Sequence, residues 1–446
     1  MEIYPITGVG ASTRVRPTII VFALLLCMVG CRKESEDFSN PNSMKCQTYL
    51  SQFEAVWQGM NQSYMFWSED TVDWDARYDK YHDVFAAFDA RSSSNPVTQT
   101  EYQTAWNGLF EGILDHHLTG RFYSSKDRIE AWVSPGSTEV YARPGYHWTD
   151  RNKQLRALQL QPGIESYYGF DPISDPEIPG SYFCLLPGSL PGKYIAYFRF
   201  TNFYFSNMVS YLSALPASMQ VSAQMPAISF YGERYSEGVS GSRGWANRDE
   251  VESLIIDVRG NGGGQVTDLM PVIGSLTQGN TQVGYTRVKE GLGRLDLSAW
   301  TQYYVKMPEK HLSKQKPIVL LADMNSVSCA ELATLVVKNL PNGTVIGERT
   351  WGGMGALWPN SDNLHDVFYN GCFGDYDYWQ YGATYATKTF AFYVYTSTFQ
   401  FVDKNYVSLE GHGIEPDIEV PYDEVKLRNG VDTQLERALL YLKTGR

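Results

Sequence analysis

The chain has 446 residues, of which 43% are hydrophobic and 19% charged, with a formal net charge of −12 and a pI near 5.1. This length and apolar content allow a large core or two to three domains. The acidic balance and the lack of a basic cluster argue against nucleic-acid binding.

The amino terminus has the pattern of a secretory leader. Two arginines precede an apolar run over residues 17–29, which is too short to span a membrane. The run leads to Met-Val-Gly-Cys ending at Cys31, which resembles the lipobox of bacterial lipoproteins, whose cysteine is acylated. We expect residues 1–31 to be a lipoprotein signal peptide and 32–45 a flexible tether to a membrane of the cell envelope. The alternative is an ordinary cleaved signal with an incidental cysteine.

The rest of the chain divides by pattern into three parts. Residues 46–120 place aromatic and apolar side chains at helical spacing, which predicts a small helical domain. Residues 121–192 are loop-rich, with short strands expected at 121–124 and 139–142. Residues 193–446 alternate strands with helices, which indicates an α/β domain with a parallel or mixed sheet. Its main predicted strands are 193–200, 253–258, 317–322 and 343–347.

Ser328 follows the predicted strand 317–322 and directly precedes a helical pattern. The first N–H groups of a helix are unpaired, so the serine hydroxyl would lie at a sheet edge beside hydrogen-bond donors. A hydroxyl nucleophile with such donors is the minimal equipment for acyl transfer. The alternative is that Ser326 and Ser328 only cap the helix.

A glycine-rich turn follows the predicted strand 253–258, with the sequence Arg-Gly-Asn-Gly-Gly-Gly at 259–264. Its glycine spacing does not fit the dinucleotide-binding fingerprint, and Gln265 stands where the third glycine should be. Glycines also let backbone N–H groups approach a substrate oxygen closely, as an oxyanion hole requires. We therefore favour the oxyanion interpretation over nucleotide binding.

Together these motifs resemble the tail-specific (C-terminal processing) serine protease family. Four motifs occur in the family's order, and the segment Leu-Asp-His-His-Leu-Thr at 114–119 is similar to the one that precedes the family's core. The four motifs are DVRGNGGG at 257–264, NSVSCAE at 325–331, GERTWGG at 347–353 and EGHGIEPDI at 410–418.

The resemblance implies a crotonase-like α/β core with Ser328 as the nucleophile. Where the lysine-dependent branch places its base, this chain has Gly353. The tricorn-core and retinoid-binding-like branch also lacks that lysine, and its pattern implies His117 as the base and Glu410 as a residue that organises the site. The same analogy implies an oxyanion hole formed by the N–H groups of Gly263 and Cys329.

Each of these assignments has an alternative. His116 and His117 could form a metal pair, but adjacent residues on a helix diverge and no third ligand is near. His117 could be an ordinary buried or capping histidine, and Glu410 an ordinary loop acid. His412 is a rival base. The cysteines show no spacing typical of zinc or of a disulfide framework, and the pairing of Cys46, Cys184 and Cys372 stays open.

The sequence thus predicts a lipid-anchored serine endopeptidase that cleaves peptides or proteins outside the cytoplasm, without a metal or an organic cofactor. The family often carries a PDZ domain, and residues 121–192 take its place here without the usual carboxylate-binding loop. The alternative is an inactive protein of the same fold that binds peptides, glycans or apolar ligands. The oligomeric state is not specified.

Overall fold

The computed structural model describes residues 46–163, 166–169, 180–204, 227, 229–231, 244–309, 311–355, 372–375, 378, 382 and 389–446. The expected signal peptide with Cys31 and the expected tether lie outside these residues. Within them, no helix combines the length and the apolar character that crossing a bilayer requires.

The N-terminal part is helical, as predicted. Each of its helices begins after a residue whose side-chain oxygen accepts an N–H of the first turn, namely Thr48, Asp73 and Thr98. The helices are α1 (Tyr49–Ser63), α2 (Trp74–Asp89) and α3 (Gln99–Phe110).

These helices pack on an antiparallel sheet of order β11-β12-β1-β2. Its strands are β1 (Thr119–Ser124), β2 (Ile129–Val133), β11 (Phe373–Gly374) and β12 (Phe390–Tyr395). The helical layer buries its aromatic face against Phe122, Phe373, Phe390 and Phe392. It therefore shares one core with strands from distant parts of the chain.

A seven-stranded mixed sheet forms the centre, with order β14-β10-β9-β6-β5-β4-β3. The strands from β14 to β5 pair in parallel, and β4 and β3 add antiparallel pairs. The strands are β3 (Ser166–Gly169), β4 (Ser181–Pro187), β5 (Tyr194–Phe200), β6 (Val251–Asp257), β9 (Ile318–Ala322), β10 (Gly343–Gly347) and β14 (Ile418–Glu419). β9 is buried along its whole length because separate apolar clusters cover its two faces. The predicted α/β class is confirmed.

Further helices flank this sheet, and a small antiparallel sheet of order β13-β7-β8 lies beside it. Its strands are β7 (Thr281–Val288), β8 (Thr301–Val305) and β13 (Phe399–Asp403). The helices are α4 (Pro135–Tyr141), α5 (Arg151–Gln159), α6 (Val266–Val272), α7 (Cys329–Asn339), α8 (Glu424–Arg428) and α9 (Thr433–Thr444). Two 3-10 turns cover Trp245–Asn247 and Gly274–Leu276.

The strand expected at 139–142 is wrong, because α4 covers most of these residues. Pro135 occupies the first turn of this helix, where its missing N–H costs nothing and its fixed φ favours the helical conformation. The cysteines at 46, 184, 329 and 372 are buried, and no disulfide joins any two of these four.

The carboxyl ends of the parallel strands β6, β9 and β10 lie at one edge of the central sheet. In open α/β sheets this edge is where ligands bind. The glycine turn, Ser328 and the loop at 348–355 each follow one of these strands, so the topology alone places the three motifs together.

Candidate active site

Ser328 lies at a sharp turn between β9 and α7. Its φ of 60° and ψ of −118° fall in a region that residues with a side chain rarely adopt. The carboxylate of Asp323 holds this turn by accepting the N–H of Asn325 at 3.0 Å and that of Gly260 at 2.9 Å. Cys329 is the first helical residue, so its N–H lacks an acceptor within the helix. The turn thus places the serine at the sheet edge beside a helix N-terminus.

The glycine turn approaches Ser328 directly. A Cβ on Gly263, whose φ is 88°, would lie 2.6 Å from the Cβ of Ser328 and 3.1 Å from the backbone nitrogen of Cys329. A side chain at this position has no room, so only glycine allows this approach. Asn261 joins the two turns, because its carbonyl accepts the N–H of Val327 at 2.9 Å. Its side-chain oxygen accepts the N–H of Gly263 at 2.9 Å, so that N–H is already engaged.

His117 lies against Gly353, in the loop that follows β10. A Cβ on Gly353 would lie 3.1 Å from Cε1 of His117, 3.2 Å from its Nδ1 and 3.5 Å from Cγ1 of Val327. The imidazole and the residue before Ser328 therefore face the same glycine. No hydrogen bond joins the Ser328 hydroxyl to the ring, and Nδ1 is buried without a partner among the described residues. Burial lowers the pKa of His117, so its neutral form prevails at pH 7.

Asp115 anchors His117, a role that the sequence did not reveal. One carboxylate oxygen accepts the backbone N–H of His117 and the hydroxyl of Ser397, both at 2.9 Å. The other accepts the Thr396 hydroxyl at 2.6 Å and the Ser397 N–H at 2.8 Å. The sequence feature that could have predicted this role is the position of Asp115 two residues before His117. At this spacing an aspartate side chain can accept the backbone N–H of the later residue.

Glu410 lies beside His117 but binds backbone rather than the ring. One oxygen accepts the N–H of His116 at 2.9 Å, and the other accepts those of Met354 at 2.8 Å and Gly355 at 2.6 Å. Burial, reinforced by the nearby charge of Asp115, raises the pKa of Glu410 well above its ordinary value.

Asp115, His117 and Glu410 each offer a possible metal-ligand atom, and these atoms lie within 4.8 Å of one another. The oxygens of both carboxylates are already hydrogen-bonded to N–H and hydroxyl donors of the protein. We therefore interpret the set as a hydrogen-bonded support for His117 rather than as an ion cage.

Glu331 connects the serine turn to the loop that faces His117. Its fully buried carboxylate accepts N–H groups of Ser328 at 3.1 Å and of Gly352 and Gly353 at 2.8 Å, and the Thr350 hydroxyl at 2.6 Å. Burial raises its pKa. The pattern Ser-x-x-Glu, typical of a capping box, was the signal for this residue. Ser328 is thus also the N-cap of α7, so the helix-capping interpretation and a position at the site are compatible.

Two other histidines point away from this cluster. The ring nitrogens of His116 lie 3.2 Å from the Trp351 carbonyl and 3.3 Å from Glu139. His116 and His117 therefore do not converge on one ligand. His412 lies at the surface, 3.4 Å from the carboxylate of Glu415.

An open cavity of about 720 Å³ adjoins the turn. Val327 and Gly262, each next to a candidate site residue, line it together with Trp351. Tyr141 and Trp148 also line it. A peptide that occupied this cavity would contact Val327, the residue before Ser328.

Residues 229–420 match the family model of Peptidase family S41, which supports a peptidase domain of this family. The tricorn protease of Thermoplasma acidophilum is 26% identical over 193 residues, which cover 43% of this chain and 14% of that protein. The tricorn protease of Thermoplasma volcanium is 26% identical over 186 residues, covering 42% and 14%. The chain thus spans a small part of the length of these relatives.

Solved structures support the same fold. A candidate peptidase from Parabacteroides merdae superimposes with a TM-score of 0.56 at 20% identity, covering 90% of this chain and 98% of that one. Mature CPAF complexed with lactacystin gives 0.53 at 12% identity, covering 89% and 98%. The resemblance to tail-specific proteases is therefore confirmed for the fold, and residues 229–420 are similar to Peptidase family S41. The roles of individual residues stay predictions.

Proposed function

We propose that this protein is a serine endopeptidase of the tail-specific type, with Ser328 as nucleophile and His117 as general base. The observation that carries the proposal is the shared contact at Gly353, which brings the His117 ring beside the turn that holds Ser328. A neutral imidazole can take the serine proton, and its pKa is lowered by burial.

In the proposed reaction, the Ser328 oxygen attacks the peptide carbonyl while His117 accepts the hydroxyl proton. The N–H of Cys329 stabilises the oxyanion, assisted by that of Gly263 if it exchanges its bond to Asn261 for the substrate oxygen. When this tetrahedral intermediate collapses, the C–N bond breaks and His117 returns the proton to the leaving amine. Water then hydrolyses the acyl-enzyme with the same histidine as base.

The supporting carboxylates act through the backbone. Asp115 and Glu410 bind the N–H groups of His117 and His116, respectively, and Glu331 binds those of Ser328 and Gly353. They fix the two halves of the proposed dyad without contacting the reacting atoms. The serine–histidine hydrogen bond is expected to form when substrate binds, as catalytic hydrogen bonds are often long in the free enzyme.

A fluorophosphonate probe tests the proposal. We expect the wild type to be labelled, Ser328→Ala not to be labelled, and His117→Ala to be labelled about 10²-fold to 10⁴-fold more slowly. His412→Ala is the matched control, because it removes a nearby histidine that faces Glu415 at the surface, and it should label like the wild type. Labelling that is unchanged in His117→Ala would falsify the assigned base.

One observation favours a second candidate function, an inactive protein that binds peptides, glycans or apolar ligands. The exposed aromatic side chains at the cavity suit ligand binding without any chemistry. Failure of the folded wild type to label, together with binding of peptides at the cavity, would favour this candidate over the enzyme.

We also propose that Cys31 is lipidated and holds the protein on a membrane of the bacterial cell envelope. The proposal rests on the small residues before this cysteine and on the apolar run that precedes them. An alkyne-tagged fatty acid should label the wild type but not Cys31→Ala in the native host. Equal labelling of the two, or a wild type found only in soluble fractions, would contradict lipid anchoring at this residue.

A further inference from the structure

A group of aromatic side chains lines the cavity next to Ser328. Trp148 is 66% exposed and Tyr141 45% exposed. The Tyr141 ring lies 5.2 Å from that of Trp148 and 5.8 Å from that of Trp351, which it meets edge to face. Tyr146 lies 5.7 Å from Trp148 and completes the group. Exposed rings gathered in this way are typical of an interaction surface.

The segment that carries these rings is fixed to the candidate active site. We call residues 139–151, which join α4 to α5, the bridging segment. Its side chains bind the turn before Ser328, the loop after β10 and, through Arg151, the carbonyl of Gly260 in the glycine turn. Arg143 donates to the carbonyls of Thr350 and Trp351 at 2.8 and 2.7 Å. Tyr146 donates to Asn325 at 3.1 Å, and His147 binds Glu348 at 2.8 Å. Thr149 donates to Asp323. The aromatic wall therefore keeps a defined position relative to the serine.

The charged side chains at the cavity are engaged within the protein, including Arg151, which donates to the Gly260 carbonyl. Asp150 pairs with Lys153 at 2.6 Å, and His147 binds Glu348. Glu424 pairs with Arg428 one helical turn away. A ligand side chain at this place meets aromatic carbon together with charges that already have partners. An apolar side chain suits such a surface better than a charged one, since it loses no hydration that the site fails to replace.

We propose that this cavity is a substrate subsite that binds a large apolar side chain of the peptide, preferably an aromatic one. Trp148, Tyr141 and Trp351 line it. Its volume of about 720 Å³ is in the range of ordinary ligand pockets. Rings of the peptide stack on the exposed rings, and covering them removes apolar surface from water. The inference rests on the proposed peptidase function for its biological meaning, but the binding itself does not require catalysis.

Binding to the Ser328→Ala variant tests the subsite without hydrolysis. The ligands are capped pentapeptides with alanine at four positions and phenylalanine, leucine, lysine or alanine at the third, titrated by calorimetry. We expect the phenylalanine peptide to bind about tenfold more tightly than the alanine peptide, which corresponds to about 1.4 kcal/mol. Adding Trp148→Ala should reduce this preference to about twofold, and adding Trp148→Phe should retain most of it.

Trp132→Ala in the same background is the matched control. Trp132 is a similarly exposed tryptophan (51%) on β2, and it does not line the cavity. Its loss should leave the tenfold preference intact. Equal affinity for all four peptides, a preference for lysine, or an aromatic preference that survives Trp148→Ala would each overturn the subsite. Failure of wild-type probe labelling would count against the hydrolase and leave this binding result standing, so the two proposals fail separately.

Discussion

The imidazole of His117 occupies the space into which a side chain at position 353 would project. A Cβ added to Gly353 would lie 3.2 Å from Nδ1 of His117. By resemblance, position 353 is where the lysine-dependent branch of tail-specific proteases places its base. In the proposed mechanism, a ring from the segment before β1 would fill the space that a lysine takes in that branch.

Gly353→Ala should impair activity more than stability. Its Cβ would be tighter against the His117 ring than most real contacts, so the ring must shift by a few tenths of an ångström. We expect about a tenfold loss of kcat/KM or of probe labelling rate, because catalysis is sensitive to small displacements. Gly279→Ala, where an added Cβ meets nothing within 4 Å, is the control and should match the wild type. Equal rates for both variants would contradict the proposed contact.

The pH dependence of probe labelling should report His117. Burial lowers its pKa below the ordinary value of 6.5, so the general base stays neutral at pH 7. The rate should fall only when the pH drops through this lowered pKa, and the acidic limb of the profile should therefore lie below pH 6.5. A limb well above that value would point to a different base.

The lowered pKa of His117 also predicts how the stability of the protein depends on pH. Between the lowered pKa and 6.5, the unfolded chain binds a proton at His117 that the folded chain does not bind, so the free energy of unfolding falls as the pH falls. His117→Ala removes this contribution. Urea denaturation at pH 7 and pH 5 should therefore show a smaller loss for the variant than for the wild type.

Ser328→Gly should inactivate the protein and yet stabilise it. The serine holds a φ of 60° with a ψ of −118°, a conformation that costs about 1–3 kcal/mol with a side chain but suits glycine. The greater backbone freedom of glycine in the unfolded chain offsets about 0.5–1 kcal/mol of the gain. We expect a net increase of about 1 kcal/mol in the free energy of unfolding, measured by chemical denaturation. Ser328→Ala keeps the strain and should change stability little, and a destabilised Ser328→Gly would contradict the strained turn.

Arg259→Met should destabilise the central sheet strongly. Arg259 is buried and pairs with Asp257 at 2.7 Å and Asp432 at 2.9 Å, so its loss removes the directly paired cation from two buried carboxylates. Such losses cost about 3–5 kcal/mol. Lys314→Met, which breaks an exposed pair with Asp249, is the control and should have little effect. Urea denaturation at pH 7 measures both variants.

The same ion network predicts acid sensitivity. Burial alone would raise the pKa of Asp257, but the charges of Arg259 and Arg199 lower it from 3.8 to about 2. Above pH 3.8 the ionised carboxylate contributes about 2 kcal/mol of stability, and this contribution is lost as the pH falls from 3.8 towards 2. The Asp257→Asn variant should lack this part of the acid transition.

Residue patterns within single segments were sufficient to predict several strands and helices. Buried β-branched runs gave β6 and β9, and helical spacing gave α1 to α3. The helix α4 was missed because Ser134 and Pro135, the signal for its start, lie within a loop-rich composition. The packing of the helical layer against β12 could not be predicted either. Neither segment alone contains a pattern that indicates pairing between distant strands.

Residue patterns were enough to predict the fold class, the position of Ser328 between a buried strand and a helix, and the glycine turn. Which side chains meet at this site depends on how the whole chain packs. The tertiary structure brought His117 against Gly353, directed Glu410 to backbone N–H groups, and revealed Asp115 and Glu331 as anchors. The physical reason is that strand and helix formation depend on neighbouring residues. The contacts of a buried polar group depend instead on which distant donors the packed chain brings within hydrogen-bonding distance.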